Sequence, residues 1–314
     1  MRVLVLGATG FLGSWTVRAL LADGHSPIAL LRSESDDWRL SPLCDGVEIR
    51  RAALADWPAV VRAAAADVVI SLDWTGLAAA ERDDATQWRN VDRLASTVRS
   101  AIDGGARRVV GIGSQAEYGP HDGLVAAAST MPAPATEYGR AKLEAGRMLL
   151  AAAASAGIDG VWGRVFSTYG PLDQPHWLLP KLAARLLRGE RAELTAGTQR
   201  WSYLTGADAG RAIALLATAG SGAYDIGSAS APPLRETIET FAAHFGGGEL
   251  LDFGAIEQGA DPVRHLQTDV GPLQELGWQE RIPLSDGLAQ TADWLKGRPV
   301  VDSLLAGRVL PRPR

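Results

Sequence analysis

Three observations predict an α/β fold built on a doubly wound parallel sheet. The chain opens on an apolar strand, Val3-Leu-Val-Leu6, that runs straight into Gly7-Ala-Thr-Gly10-Phe-Leu-Gly13 and then into a helical pattern. Short apolar runs alternate with helical patterns from there to about residue 166, the order that places parallel strands between two layers of helices. Regularity weakens after Gly170-Pro171, where a smaller carboxy-terminal lobe is expected. The predicted architecture is therefore a Rossmann-type sheet with a smaller C-terminal substrate lobe. Residues 1–166 and 205–227 are assigned to the dinucleotide-binding domain, residues 167–204 and 228–296 to the substrate lobe, and residues 297–314 to a tail.

The elements follow in order. After the first strand, Trp15, Val17, Leu20 and Leu21 lie at helical spacing. Pro27–Leu31 and Val47–Ile49 read as the second and third strands, and Pro58 opens a helix through Val60, Val61 and Ala64. Asp67–Ile70 is the fourth strand. Trp88, Val91, Leu94, Ala95 and Val98 mark a helix over Thr86–Ile102 that stops at Gly104-Gly105. Arg108–Ile112 is the fifth strand and Pro120–Pro134 a loop. Tyr138–Ala156 is a long helix closed by Gly157, and Val161–Val165 is the sixth strand. Beyond Pro171, helices are expected over Trp177–Leu187, Asp208–Ala217, Leu234–Phe245, Asp269–Leu276 and Ser285–Leu295. A short segment is expected near Ala192–Leu194, and Ala223–Ile226 rejoins the sheet. The tail ends Leu-Pro-Arg-Pro-Arg and is expected to be poorly ordered at its end.

Composition narrows the class. With 46% hydrophobic and 21% charged residues, the 314-residue chain reads as an ordinary globular protein, and a net charge of −5 gives no reason to expect nucleic acid. No apolar run reaches the roughly 18 residues of a membrane span, and the first residues are already a strand, so neither membrane anchor nor signal peptide is expected. A single cysteine, Cys44, excludes an internal disulfide and a cysteine metal cluster. The expectation is a cytoplasmic protein without a bound metal.

The glycine turn carries the first chemistry. Gly7 lets the backbone turn sharply, Gly10 lets a phosphate approach the main chain, and Gly13 lets the helix pack close to the sheet. Thr9, Phe11 and Leu12 complete this turn, whose N–H groups open toward a pyrophosphate. The end of the second strand chooses between NAD and NADP. It reads Leu31-Arg32-Ser33 with no acid at the turn, so Arg32 is expected to meet a 2′-phosphate and NADP is preferred, NAD being the alternative.

Tyr138 and Lys142 stand four apart on a helix and share a face. A lysine near a tyrosine favours the phenolate, giving a proton donor and acceptor for interconverting an alcohol and a ketone. Ser114, just past the fifth strand, is placed to hydrogen-bond the reacting oxygen.

These stretches resemble the extended short-chain dehydrogenases/reductases of the nucleotide-sugar epimerase and dehydratase type. The matching segments are the glycine turn, Asn90-Val91, Ser114 with Tyr118-Gly119, Tyr138-x-x-x-Lys142, Arg164-x-Phe166-x-x-Tyr169-Gly170-Pro171 and Leu276-Gly277-Trp278, nearly the whole chain. The resemblance implies Ser114, Tyr138 and Lys142 as the catalytic trio, with Lys142 also holding the nicotinamide ribose. It implies that Leu72 walls the cofactor site, that Val165 and Phe166 flank the nicotinamide, and that the region after Pro171 grips a nucleotide diphosphate sugar.

Departures from the family pattern refine the expectation. Ala52-Ala53-Leu54 lacks the aspartate that often meets adenine, and Leu72-Asp73-Trp74 replaces a pair of alanines. Gln115-Ala116 stands where sugar 4,6-dehydratases carry an Asp-Glu pair, which argues against dehydration. Cys44 lies far from the site in sequence, which argues against cysteine-dependent epimerisation. Gln258-Gly259-Ala260 falls where a diphosphate-binding arginine is common, with Arg264 a weak substitute. The expected activity is NADP(H)-dependent reduction of a keto-sugar on a nucleotide diphosphate, a 4-keto-6-deoxyhexose favoured, by a chain that forms a homodimer. The alternatives are an NAD-retaining 4-epimerase, reduction of a non-sugar carbonyl, and a non-catalytic NADP-sensing module.

Overall fold

The structure is a computed structural model that describes residues 1–257, 264–297, 301–302 and 308–309. Gln258-Gly259-Ala260 and the end of the tail lie outside the described residues. In chain order the elements are β1 (Arg2–Leu6), α1 (Phe11–Ala22), β2 (Ser26–Arg32), β3 (Glu48–Ala52), α2 (Trp57–Ala63), β4 (Val68–Ser71), α3 (Trp88–Asp103) and β5 (Arg108–Ser114). They continue with β6 (Asp122–Val125), α4 (Glu137–Ala156), β7 (Asp159–Val165), β8 (Ser167–Tyr169), α5 (Leu178–Leu187), β9 (Ala192–Leu194), β10 (Arg200–Trp201) and β11 (Tyr203–Thr205). The last group is α6 (Gly206–Leu216), β12 (Gly222–Ile226), α7 (Leu234–Ala243), β13 (Leu251–Phe253), β14 (His265–Thr268), α8 (Gly271–Glu275) and α9 (Leu284–Leu295).

Seven strands form the central sheet in the order β3-β2-β1-β4-β5-β7-β12, every neighbouring pair parallel. The order reverses between β1 and β4, which opens a crevice at the carboxyl ends of the strands. Alternation along β1 fills two cores. Val3 and Val5 pack with Val17, Leu20, Ile213 and Leu216 toward α1 and α6, while Leu4 and Leu6 pack with Val61, Leu94, Val98 and Leu149 toward α2, α3 and α4. A third core gathers Tyr169, Leu182, Leu186, Ile238, Phe241 and Leu288 among α5, α7 and α9. Among the described residues no helix is long and apolar enough to cross a membrane.

The stretch Pro120–Pro134, expected as a loop, contains β6, which pairs in parallel with β14; β10 joins the other side of β14. The helix expected over Asp269–Leu276 is the shorter α8, entered from β14. Both differences arise because a four-residue strand gains its hydrogen bonds only from a partner far along the chain.

Candidate active site

Every predicted site residue lies at the carboxyl edge of the central sheet or in the first turns of α1 and α4. Gly7 has φ +78°, and a Cβ there would stand 2.8 Å from the Leu72 carbonyl carbon, so the turn after β1 lies against the residue that follows β4. Leu72 donates its N–H to the Leu6 carbonyl at 3.0 Å, which fixes that approach. A Cβ on Gly13 would come 2.1 Å from the Gly7 carbonyl oxygen, so only glycine lets α1 start this close to the turn. Gly10 caps α1 in an extended conformation without a side-chain hydrogen bond, which leaves the N–H groups of the first turn facing outward. These residues fit the pyrophosphate of a dinucleotide. Phe11 contributes backbone alone, since its ring is buried with Trp15 and Leu172, and Leu12 packs partly into the core.

Arg32 ends β2 with its side chain exposed. Arg51 organises the loop beyond it, donating to the Ser35 carbonyl at 2.9 Å and pairing with Asp37 at 2.5 Å, so the Asp37 carboxylate is already engaged. Arg39, which the sequence reading passed over, is buried and donates to the Leu172 carbonyl at 2.8 Å and the Thr9 carbonyl at 3.2 Å. It ties the glycine turn to the segment that follows Pro171.

α4 begins at Thr136, whose side chain accepts the Gly139 N–H at 3.1 Å, and this cap sets Tyr138 and Lys142 in the first two turns. Ser114, the last residue of β5, is in register with Val165 on β7. Tyr138 is buried and shares a side-chain hydrogen bond with Ser114. Burial pushes its pKa up, and the Ser114 hydrogen bond and the Arg82 charge only partly oppose this. The net shift is upward, so in the free chain burial outweighs the lowering expected from a lysine nearby and the phenol is held protonated. The Lys142 Nζ donates to the Ile112 carbonyl at 2.7 Å, stands 3.8 Å from the Trp74 ring centroid and 5.9 Å from that of Tyr138. Its own pKa is lowered to about 7, chiefly by burial, with Glu117 and Asp73 opposing.

Trp74 closes the site. Its ring meets Tyr138 edge to face at 6.2 Å, and its Nε1 donates to Gln87 Oε1 at 2.8 Å. The Arg82 guanidinium stands 5.3 Å from the Tyr138 ring centroid. The alanines expected in the family are thus replaced by an indole lying on the lysine.

The profile of the NAD-dependent epimerase/dehydratase family matches residues 3–227, most of the chain and all of the elements that build this site. The chain belongs to this family. This family member is 27% identical over 320 residues to a dTDP-glucose 4,6-dehydratase of Streptomyces niveus, a match covering 94% of this chain and 93% of that enzyme. It is also 25% identical over 219 residues to a trifunctional UDP-glucose 4,6-dehydratase/3,5-epimerase/4-keto-L-rhamnose reductase of Arabidopsis thaliana. That alignment takes in 68% of this chain but spans only 33% of the plant enzyme. Among solved structures, MoeE5 in complex with UDP-glucose and NAD is similar at TM-score 0.79 and 29% identity, covering 94% of this chain and 99% of MoeE5. A UDP-glucose 4-epimerase of Thermotoga maritima, at TM-score 0.84 and 21% identity, shares the fold.

Among the described residues, the two carboxylates beside the site of this epimerase/dehydratase family member, Asp73 and Glu117, are both committed. Asp73 pairs with Arg93 at 2.5 Å. Glu117 is fully buried, accepting from Arg164 Nε at 2.7 Å, Trp162 Nε1 at 3.0 Å and the Ser114 N–H at 2.9 Å. Gln115 and Ala116 separate it from Ser114, and Gln115 reaches across to the Ser167 hydroxyl at 3.5 Å. Cys44 falls between β2 and β3, away from Tyr138 in the chain. Sequence reasoning left Arg82 without a role here, offered Glu117 only as a proton donor in place of Tyr138, and marked Trp74 only as a bulky residue in a place where alanine is expected.

Proposed function

We propose that this chain is a nicotinamide-dependent reductase of a keto-sugar carried on a nucleoside diphosphate, with NADP(H) preferred and a 4-keto-6-deoxyhexose as the favoured substrate. A homodimer is part of this reading. One observation carries it. Tyr138 is buried beside Ser114 with its phenol held protonated, and the two described carboxylates near them, Asp73 and Glu117, are both paired with arginines. A protonated phenol is ready to give a proton to a carbonyl oxygen, which is the reducing direction. Elimination of water needs an acid and a base on the sugar, and Gln115 and Ala116 supply neither.

A bound nicotinamide supplies the hydride. This chain's residues handle the proton and the charge. The Ser114 hydroxyl hydrogen-bonds the substrate carbonyl oxygen and orients it toward Tyr138. The Tyr138 Oη gives up its proton as negative charge grows on that oxygen, leaving an alcohol and a phenolate that solvent reprotonates. Lys142, when charged, stabilises the phenolate formed in that step. The N–H groups at the start of α1 hold the pyrophosphate, Arg32 meets a 2′-phosphate, and the lobe after Pro171 takes the nucleotide end of the substrate.

The test is direct. Purified full-length protein is incubated with NADPH and a nucleotide-linked 4-keto-6-deoxyhexose, and separately with a nucleotide-linked glucose. The expected result is oxidation of NADPH in step with formation of the alcohol, and no 4-keto-6-deoxy product from glucose. Formation of that product at a comparable rate would make the enzyme a dehydratase. Interconversion of sugar epimers by protein that retains NAD would make it an epimerase.

A further inference from the structure

Glu117 is a carboxylate at 0% exposure immediately behind the active-site serine. It accepts from three donors: the Ser114 N–H at 2.9 Å, Trp162 Nε1 at 3.0 Å and Arg164 Nε at 2.7 Å. With Ser114 it forms a reciprocal cap on the turn Gln115–Glu117, the Ser114 Oγ accepting the Ala116 N–H at 3.2 Å. Its Oε1 occupies the space a side chain on Gly113 would need, 2.2 Å from the position of a Cβ there. The Lys142 ammonium hydrogen-bonds the carbonyl of the adjacent residue, Ile112. The carboxylate bonds Ser114 and lies against Gly113, and the ammonium bonds Ile112, so the two groups sit on either side of Gly113 at the end of β5.

We propose that Glu117 is a positioning residue for the active site, fixing the backbone of Ser114 and setting a buried negative charge close to the Lys142 ammonium. A plain structural ion pair with Arg164 would need neither contact. The proposal rests on the reading of Ser114, Tyr138 and Lys142 as a reductase site. The charged groups acting on Lys142 are Glu117 from the turn after β5, Asp73 from the loop after β4, and Arg93 from α3. Asp73 and Arg93 are paired and act on the lysine in opposite directions. Glu117 is paired with Arg164 on β7, whose guanidinium also donates to the Tyr118 hydroxyl at 3.1 Å. Tyr138, the neutral neighbour of Lys142, is faced by Arg82 and Glu117.

The sign follows. Removing the Glu117 charge makes the Lys142 proton easier to lose, so its midpoint falls. The same change removes a charge that opposes phenolate formation at Tyr138. Reduction needs the phenol protonated and the lysine charged, so both effects move the alkaline limb of turnover to lower pH.

The chain has three lysines, Lys142, Lys181 and Lys296, which makes the test clean. Full-length protein carrying carbon-13 lysine is titrated by NMR, with Lys142 assigned as the signal missing from Lys142→Arg. In Glu117→Gln the Lys142 midpoint should fall by about one pH unit or more, the size of effect a nearby opposite charge exerts. The signals of Lys181 and Lys296 should not move. Because Glu117→Gln leaves Arg164 buried without its partner, which destabilises the chain, Glu117→Gln/Arg164→Met is titrated as well. It should shift Lys142 in the same direction. In a folded variant, a Lys142 midpoint equal to that of the wild type would overturn the proposal and leave Glu117 a structural ion pair. The titration needs no substrate. If wild-type protein reduces no keto-sugar, the functional reading fails and the lysine titration still decides the role of Glu117.

Discussion

At the scale of single residues, Gly113 shows how tightly the end of β5 is built. A Cβ there would lie 2.2 Å from Glu117 Oε1 and 2.4 Å from Trp162 Nε1. Gly113→Ala must displace a buried carboxylate or an indole, and should cost about 1–3 kcal/mol of stability, the range for overpacking a core. Chemical denaturation checks this; an unchanged midpoint would mean that the cradle has slack. Arg32 answers a different question, that of cofactor choice. Arg32→Ala should weaken NADPH binding by about 1.5–3 kcal/mol, the range for a hydrogen bond to a charged group, and hardly affect NADH. Calorimetric titration of both cofactors measures the ratio, and a ratio left unchanged would return the preference to NAD.

At the scale of elements, α6 is anchored by one carboxylate. Asp208 is fully buried, pairs with Arg211, and accepts from Thr205 Oγ1 at 3.0 Å and from the N–H groups of Arg281 and Ile282 at 2.9 and 3.0 Å. Its backbone carbonyl takes the Trp278 Nε1 at 3.2 Å. One side chain thus ties the segment carrying Gly277-Trp278 to the sheet domain. Asp208→Ala leaves a buried guanidinium without its partner and should cost about 3–5 kcal/mol; a loss below about 1 kcal/mol in denaturant unfolding, as expected of a surface pair, would contradict this. The long periodic elements were legible in the sequence: β1 with its glycine turn, the strands of the central sheet, and α4 with Tyr138 and Lys142. The short pairings were not. β6 meets β14, and β9 meets β13, each as a run of three or four residues too brief to show a period. The burial of Glu117 did not show for the same reason: Trp162 and Arg164, which close over it, come 45 and 47 residues later.

At the scale of the whole molecule, the sheet brings the glycine turn, Ser114 and Val165 to one edge, and α4 adds Tyr138 and Lys142 beside them. The loop after β4 lays Trp74 and Arg82 against this pair, and Tyr138 and Lys142 are both buried. Burial keeps Tyr138 protonated and brings Lys142 to about 7, a combination that suits proton donation to a substrate oxygen near neutral pH. The measurement that tests this most directly is the rate of NADPH-dependent keto-sugar reduction by Tyr138→Phe, set beside its affinity for NADPH. The phenol acts on the substrate oxygen and the ring is retained, so affinity should be unchanged while turnover falls by about 10²–10⁴-fold, the loss expected of a general acid. Wild-type turnover in Tyr138→Phe would contradict the central claim and move the proton donor away from Tyr138.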